Sequence, residues 1–186
     1  YSHHAIQDYA LVRSFPNMLI ASPGDPMEVS GCLKYLIDNP QPSYIRLGKA
    51  GEECFHESVP PIEPGQWLPI KEDKNIKRSI LTTGAAMSTG MQRYKNNPNK
   101  FNVYSMPLWG MKYKKRQLEQ IQNHNELTII EDHLQDGGFG SWMTESIINS
   151  NNKNELLKLK TEFLDAKVCG EVGSQSILNE FGNLKP

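Results

Sequence analysis

The sequence predicts an α/β protein with a mostly parallel sheet and helices on both faces. Short apolar runs alternate with segments of helical periodicity along the chain, and this alternation is typical of parallel sheets. One segment interrupts the pattern, because residues 59–69 contain four prolines in eleven residues. Since proline removes a backbone donor and stiffens the chain, we expect an extended linker there, between two α/β units.

The first unit is predicted to form helix, strand, helix and strand, at about 2–15, 18–21, 25–38 and 43–47. Its second helix has the clearest start, since Asp25 can cap it, Pro26 suits its first position and Glu28 completes a capping box. The apolar residues of this helix recur at i, i+3, i+4 and i+7, so we expect one face to be buried.

The second unit is predicted to continue the alternation. Its strands are expected at 79–83, 101–105, 127–131 and 166–169, and its helices from about 85 and at 114–123, 137–148, 156–164 and 174–181. The run 127–131 is the most apolar of these strands. In open parallel sheets ligands gather at the carboxyl ends of strands, so the residues after this run are candidates for a site.

Charge and cysteine content exclude several classes of partner. The chain has 20 basic and 21 acidic residues and a formal net charge of −1, so its overall charge does not indicate binding to nucleic acid or to an anionic membrane. No apolar run approaches the roughly 20 residues of a membrane span. Three cysteines without CxxC spacing indicate free thiols, and we expect a cytoplasmic protein without a zinc site.

A glycine-rich stretch, Gly137–Gly140, follows the most apolar strand and opens a helix. Backbone N–H groups at such a position could hold a phosphate. The stretch matches neither of the common phosphate-binding spacings, and Asp132 and Asp136 beside it would repel an anion. A sharp turn with close packing is the favoured interpretation, and the phosphate interpretation stays open.

Glu131, Asp132 and His133 come at the end of the same strand. An acid and an imidazole at this edge of a sheet could perform acid–base chemistry. They could equally anchor an interface between protein chains. No nucleophile elbow accompanies them, so hydrolase chemistry is not indicated.

Three further side chains are candidates for contact with a ligand or for an ordinary surface role. His3 and His4 diverge by about 100° on a helix, so we do not expect them to share a metal ion, although one of them could line an active site. Lys49 follows the predicted strand 43–47 and could meet an anionic substrate or be solvated. Arg46 lies within that strand, so its charge needs either a carboxylate partner or a position at the edge of the sheet.

Seven short motifs follow one another along the chain. They are SHHAIQD at 2–8, LVRSFPNM at 11–18, SPGDPME at 22–28, PSYIRLGK at 42–49, Thr83-Gly84, EDH with GGFG at 131–140, and GEVGS at 170–174. Together they resemble the transketolase family of thiamine diphosphate-dependent enzymes, over essentially the whole chain. Deoxyxylulose-phosphate synthases and, more distantly, the beta subunits of 2-oxo acid dehydrogenases share them.

The resemblance implies that this chain is the C-terminal part of a larger enzyme. Residues 1–57 would be the last, incomplete part of a pyrimidine-binding domain, residues 58–75 a proline-rich linker, and residues 76–186 the complete C-terminal domain. The glutamate that activates the cofactor and the motif that holds magnesium diphosphate belong to parts of the family that this sequence does not contain. We therefore expect the parent enzyme to bind thiamine diphosphate and magnesium, and this chain alone to bind neither.

The resemblance also implies roles for individual residues, none of them catalytic. His3 would line the substrate channel, and Lys49 stands where the family has a phosphate-binding arginine. Lysine offers a point charge instead of a two-pronged contact, so phosphate binding is expected to be weaker or altered. Glu131, His133 and Gly138 would lie near the interface of a homodimer.

Two functions follow as hypotheses. In the first, the parent enzyme transfers two-carbon ketol units between sugar phosphates, and this chain is inactive without the missing N-terminal domains or subunit. In the second, the chain is a non-catalytic interaction or regulatory module that reuses the C-terminal fold, an alternative that the lysine at position 49 favours. The reading frame upstream of Tyr1 would distinguish them.

Overall fold

The computed structural model describes residues 6–48, 51–148 and 157–186. The strands in these residues are β1 Leu19–Ala21, β2 Ser43–Ile45, β3 Leu68–Lys71, β4 Arg78–Thr82, β5 Asn102–Ser105, β6 Leu108–Trp109, β7 Glu126–Leu134 and β8 Lys158–Leu164. The α-helices are α1 Asp8–Val12, α2 Pro26–Asp38, α3 Ala86–Asn96, α4 Gln117–Ile121, α5 Phe139–Ile148 and α6 Gln175–Phe181. Two short 3-10 helices span Met111–Arg116 and Ala166–Val168.

The strands form two sheets. The larger sheet has the order β3-β5-β4-β7-β8, and the smaller has the order β2-β1-β6. In the larger sheet β4, β5, β7 and β8 are parallel, while β3 is antiparallel at one edge. Helices α3 and α5 pack against this sheet. The predicted α/β fold with a mostly parallel sheet is confirmed.

The proline-rich segment at 58–75 contains strand β3, so the prediction that it forms no element is wrong. β3 pairs antiparallel with β5, with Leu68 opposite Ser105 and Pro69 opposite Tyr104. A proline is tolerated there because β3 lies at the edge of the sheet, where one side of the strand needs no ladder donor. The register shifts between Pro69 and Lys71, so the strand bends at this position.

Strand β6 joins the two halves of the chain, and the sequence did not predict it. Although it follows β5 of the larger sheet, it pairs antiparallel with β1, with Ile20 opposite Trp109 and Ala21 opposite Leu108. On its other side β1 pairs in parallel with β2. One edge of the first unit is therefore completed by backbone from the second.

Two predictions near the C-terminus are wrong. The segment 156–164 was expected to be helical, but its described part contains strand β8, Lys158–Leu164, which is parallel to β7. Lys158 and Lys160 are exposed while Leu159 and Thr161 are half-buried, an alternation that fits a strand. The predicted strand 166–169 is instead the short 3-10 helix, begun by the Asp165 side chain, which accepts from the Lys167 N–H at 2.9 Å. β8 therefore takes the position beside β7 that the predicted strand would have occupied.

The start of α2 follows the prediction except for one bond. The Asp25 side chain caps the helix by accepting from the Glu28 N–H at 2.8 Å, and Pro26 is the first helical residue. In a capping box the glutamate would accept from the N–H of the cap residue itself. Here the Glu28 carboxylate accepts from the Gly24 N–H at 2.7 Å, one residue earlier.

One aromatic cluster connects the first and second halves. The Trp109 ring contacts the rings of Tyr9, Phe139 and Trp142, with centroid distances of 5.2, 5.3 and 5.5 Å. All four side chains are fully buried. Aromatic pairs of this kind contribute about 0.5–1.5 kcal/mol each beyond the burial of their area. Within the described ranges, no helix has the length and apolar character needed to cross a membrane.

Candidate functional site

The carboxyl ends of β4 and β7 lie side by side. After β4 the chain continues to β5 on one side of this pair, and after β7 it continues to β8 on the other side. Open α/β sheets bind ligands in the crevice that forms at such a point. In this protein the first half of the chain fills it, and we call this contact the junction. The Gly84 N–H, just after β4, donates to the Ser22 carbonyl at 2.9 Å. Gly84 has φ +60°, and a Cβ there would lie 2.5 Å from Ser22 Oγ, so glycine is required.

Arg46 is the central charge of this junction. Its guanidinium donates to Asp132 Oδ1 at 3.1 Å and to the Asp132 carbonyl at 3.2 Å, and Nε lies 3.4 Å from Asp8 Oδ2. It also stacks over the Tyr9 ring, 4.9 Å from the centroid. Burial alone would lower the pKa of Arg46, but Asp132, Tyr9 and Asp8 raise it above its ordinary value. The positive charge is therefore permanent and paired on two sides.

The Asp8 carboxylate contacts residues from three segments of the chain. Its carboxylate accepts from the Tyr44 hydroxyl at 2.7 Å and from the Tyr9 N–H at 2.9 Å. His133 Nε2 lies 3.6 Å from its Oδ1. Burial and the nearby Asp8 raise the pKa of Tyr44 to about 12, so this phenol stays protonated and donates. Asp8 therefore ties α1 to the end of β2 and to β7.

His133 and Tyr9 stack inside the junction, with ring centroids 4.8 Å apart and planes 12° apart. His133 Nδ1 lies 2.7 Å from the Leu134 carbonyl, which can only accept, so this nitrogen carries the proton. Burial lowers the pKa of His133, which favours the neutral ring. The Tyr9 hydroxyl is hydrogen-bonded to Ser22 Oγ, and burial raises its pKa.

The Glu131 carboxylate binds the N–H groups at the start of α5, where the sequence left a phosphate-binding loop open as an interpretation. Its carboxylate accepts from the Phe139 N–H at 2.5 Å and from the Gly140 N–H at 2.8 Å, at the start of α5. A side chain at position 138 would clash with the same carboxylate, so glycine is needed there. These N–H groups already have an internal acceptor, and the phosphate interpretation is wrong. Burial raises the pKa of Glu131 to about 8.

The structure brings together some of the predicted site residues. Glu131, His133 and Gly138 are buried and contact partners within the chain. The predicted substrate residues His3 and Lys49 lie outside the described residues.

Sequence reasoning did not identify Asp8 and Tyr44 as members of the junction. A signal existed for Asp8, because Arg46 sits at the end of an apolar strand and such a charge requires carboxylate partners. No comparable signal pointed to Tyr44, which contacts Asp8 through its hydroxyl. Asp132 belonged to a predicted triplet, and its pairing with Arg46 could not be foreseen.

The junction does not fit thiamine diphosphate or a metal ion. Its carboxylates are engaged by an arginine, a phenol or backbone N–H groups of the same chain. No group of three side chains suited to hold a metal ion occurs in the residues that the structure describes. Chemically, the arrangement can hold two parts of the chain in one geometry.

Fold and junction together define a class. The chain is an open, mostly parallel α/β domain whose ligand crevice is filled by the end of a preceding α/β unit. Comparison with known proteins shows which family the chain resembles. Residues 1–51 match the family model described as "Transketolase, pyrimidine binding domain". The predicted resemblance to the C-terminal part of transketolase-type enzymes is confirmed.

Related proteins agree with this family. The chain is 30% identical over 156 residues to a 1-deoxy-D-xylulose-5-phosphate synthase of Thermus thermophilus, covering 83% of this chain and 25% of that protein. It is 26% identical to one of the subunits of an apulose-4-phosphate transketolase of Phocaeicola vulgatus, covering 78% of this chain and 47% of that protein. The chain thus spans between a quarter and a half of the length of these relatives.

A solved structure shares the fold. The protein described as "Split gene transketolase, inactive beta4 tetramer" aligns with 99% of this chain and 59% of its own, with a TM-score of 0.82 and 23% identity. A transketolase from Leishmania mexicana aligns with 99% of this chain and 26% of its own, with a TM-score of 0.65 and 14% identity. At these identities the likeness concerns the fold alone.

Proposed function

We propose that this chain is the C-terminal portion of a transketolase-like enzyme that transfers two-carbon ketol units between sugar phosphates with thiamine diphosphate and magnesium. The observation that carries the proposal is the match of residues 1–51 to the pyrimidine-binding domain of transketolases, directly before a second α/β unit. In this proposal residues 1–57 end the pyrimidine-binding domain, residues 58–75 connect the two, and residues 76–186 form the C-terminal domain.

Within the assembled enzyme the chain would supply substrate contacts and no catalytic group. His3 lines the substrate channel, and Lys49 meets the phosphate of a sugar substrate. Both residues are close in the sequence to members of the junction, since Asp8 follows His3 by a few residues and Arg46 precedes Lys49. Arg46 is paired with Asp8 and Asp132, so the described residues that adjoin both positions in the sequence are held in the junction.

The proposal requires partners. The remaining part of the pyrimidine-binding domain and the diphosphate-binding domain would come from a longer chain or from a second protein, as in the relative that is one of several subunits of its transketolase. Two such assemblies would form a homodimer, with Glu131, His133 and Gly138 near the interface. The buried contacts of Glu131 would then shape that surface from within the chain.

Reconstitution tests the proposal. The chain is mixed with a protein that carries the missing domains, and two-carbon transfer from a ketose phosphate to an aldose phosphate is measured with thiamine diphosphate and magnesium. We expect transfer by the mixture and none by either part. Lys49→Gln should raise KM for the phosphorylated acceptor and leave KM for its unphosphorylated analogue unchanged. Lys49→Arg, which offers a two-pronged contact, should give a KM for the phosphorylated acceptor at or below the wild-type value.

Two outcomes would contradict the proposal. Transfer by the isolated chain would mean that the cofactor site lies in residues that we have not recognised. Tight association without transfer, whichever sugar phosphates are offered, would favour the non-catalytic interaction module instead.

A further inference from the structure

A cavity of about 400 Å³ opens at the end of the larger sheet that lies opposite the junction. It lies at the amino-terminal ends of β4, β5 and β7, whereas the junction lies at their carboxyl ends. Its size falls within the roughly 300–1,000 Å³ that is typical of sites for small molecules. The lining residues used below are Trp67, Glu72, Lys74, Lys77, Tyr104 and His124.

Three rings in mutual contact form one wall of the cavity. Trp67 lies 5.4 Å from His124 and 5.7 Å from Tyr104 between ring centroids, and Tyr104 lies 5.5 Å from His124. Each of the three residues is only 6% exposed, so the wall belongs to the folded core and does not consist of mobile surface side chains.

Polar contacts at the ring edges hold this wall in place. The Trp67 indole N–H donates to Gln117 Oε1 at 2.7 Å, and the Tyr104 hydroxyl donates to Glu72 Oε1 at 2.8 Å. His124 Nδ1 lies 2.8 Å from Ser79 Oγ. A ligand would therefore meet rings that are already ordered, which lowers the entropic cost of binding.

Two lysines lie at the rim of the cavity, and the Glu72 carboxylate, which accepts from the Tyr104 hydroxyl, also lines it. Lys74 and Lys77 line it and are exposed. The ion pairs of lysines in the described residues involve Lys95, Lys114 and Lys160, so neither rim lysine forms a salt bridge with a described carboxylate. Burial and the nearby Lys77 lower the pKa of His124, so the ring wall itself is neutral near pH 7.

We propose that this cavity binds a small organic anion that carries a planar ring. The ring would pack against the wall of Trp67, Tyr104 and His124, and the anionic group would face Lys74 and Lys77 at the rim. Aromatic packing and two ammonium groups that form no salt bridge within the described residues each favour such a ligand for a separate physical reason. The site is independent of the proposed transfer reaction, because none of its lining residues belongs to the junction.

Titration with matched probes tests the proposal. Naphthoate has a planar ring and an anion, naphthamide keeps the ring without the charge, and acetate keeps the charge without the ring. Each is titrated into the isotope-labelled chain while the indole N–H resonances are followed. We expect naphthoate to shift the Trp67 resonance saturably, with a Kd of about 0.01–1 mM, and the other two probes to bind at least roughly tenfold more weakly. Trp109 and Trp142 are internal controls, since neither lines the cavity.

Charge variants test whether the anion is bound by the rim lysines or by surface charge in general. The double variant Lys74→Gln with Lys77→Gln should weaken naphthoate binding roughly tenfold, because two exposed charge contacts are lost. Lys112→Gln, on the exposed 3-10 helix outside the cavity, should leave the Kd unchanged. Equal shifts of all three indole resonances, equal affinity for naphthamide, or no saturable shift of Trp67 up to about 10 mM would overturn the proposal.

Discussion

Glu28 is a buried carboxyl group with an incomplete set of partners, and its titration should be visible in the stability of the protein. Its Oε2 accepts from the Gly24 N–H at 2.7 Å and from the Ser105 hydroxyl at 3.0 Å. Its Oε1 is buried and has no hydrogen-bond partner in the described part of the chain, and it lies 3.9 Å from His56 Nε2. Burial raises the pKa of Glu28 from 4.5 to about 8.

The direction of the pH effect follows from the raised pKa. The folded state holds the Glu28 proton at pH values at which the unfolded state has released it, so stability is fully present below pH 4.5 and is lost as pH rises toward about 8. In this window the free energy of unfolding should fall by about 1.4 kcal/mol per pH unit, and by roughly 5 kcal/mol in total.

Glu28→Gln isolates this contribution, because glutamine has the shape of the protonated acid and does not titrate. We expect the free energy of unfolding of the variant, measured by urea denaturation between about pH 5 and pH 9, to decline less steeply than that of the wild type. Glu131 titrates in both proteins and cancels in the difference. Glu119→Gln, on the surface of α4, is the control and should follow the wild-type curve. Parallel curves for wild type and Glu28→Gln would refute the reasoning.

Two further predictions concern the junction. Arg46→Met leaves two buried carboxylates without their cation, so it should destabilise the chain by about 3–5 kcal/mol in urea denaturation. The exposed Arg78, which pairs with Glu126 at 2.9 Å, provides the control, and Arg78→Met should cost no more than about 1 kcal/mol. Gly84→Ala forces a side chain against Ser22 at a positive φ, so it should cost about 1–3 kcal/mol and lower the melting temperature. Wild-type stability in either junction variant would contradict the tight contact that we describe.

Local patterns account for much of the fold. The strands β1, β4 and β7 contain short apolar runs, and α2 begins with a cap that can be recognised from sequence. Strand β3 was missed because Pro69 is tolerated only at a sheet edge, and edge position is a property of the assembled sheet. Strand β6 has two residues and no periodicity, so nothing in the sequence could have indicated its pairing with β1.

The candidate site was predictable in part. The position of the site in the fold could be foreseen. Acidic and imidazole side chains follow the most apolar strand, and the carboxyl ends of parallel strands lie together at one end of a sheet. The partners of these side chains could not be foreseen, since Arg46, which pairs with Asp132, lies 86 residues away from it in the sequence. The glycine-rich turn was ambiguous for the same reason, because only the folded chain brings Glu131 to its N–H groups.

Calorimetric titration of thiamine diphosphate with magnesium tests the central claim most directly. We predict no saturable heat and no rise in melting temperature with the isolated chain, and saturable binding once the chain is combined with the diphosphate-binding domain and the remainder of the pyrimidine-binding domain. Saturable binding by the isolated chain would contradict the account, because the described junction has no carboxylate left to hold the cofactor or its metal ion.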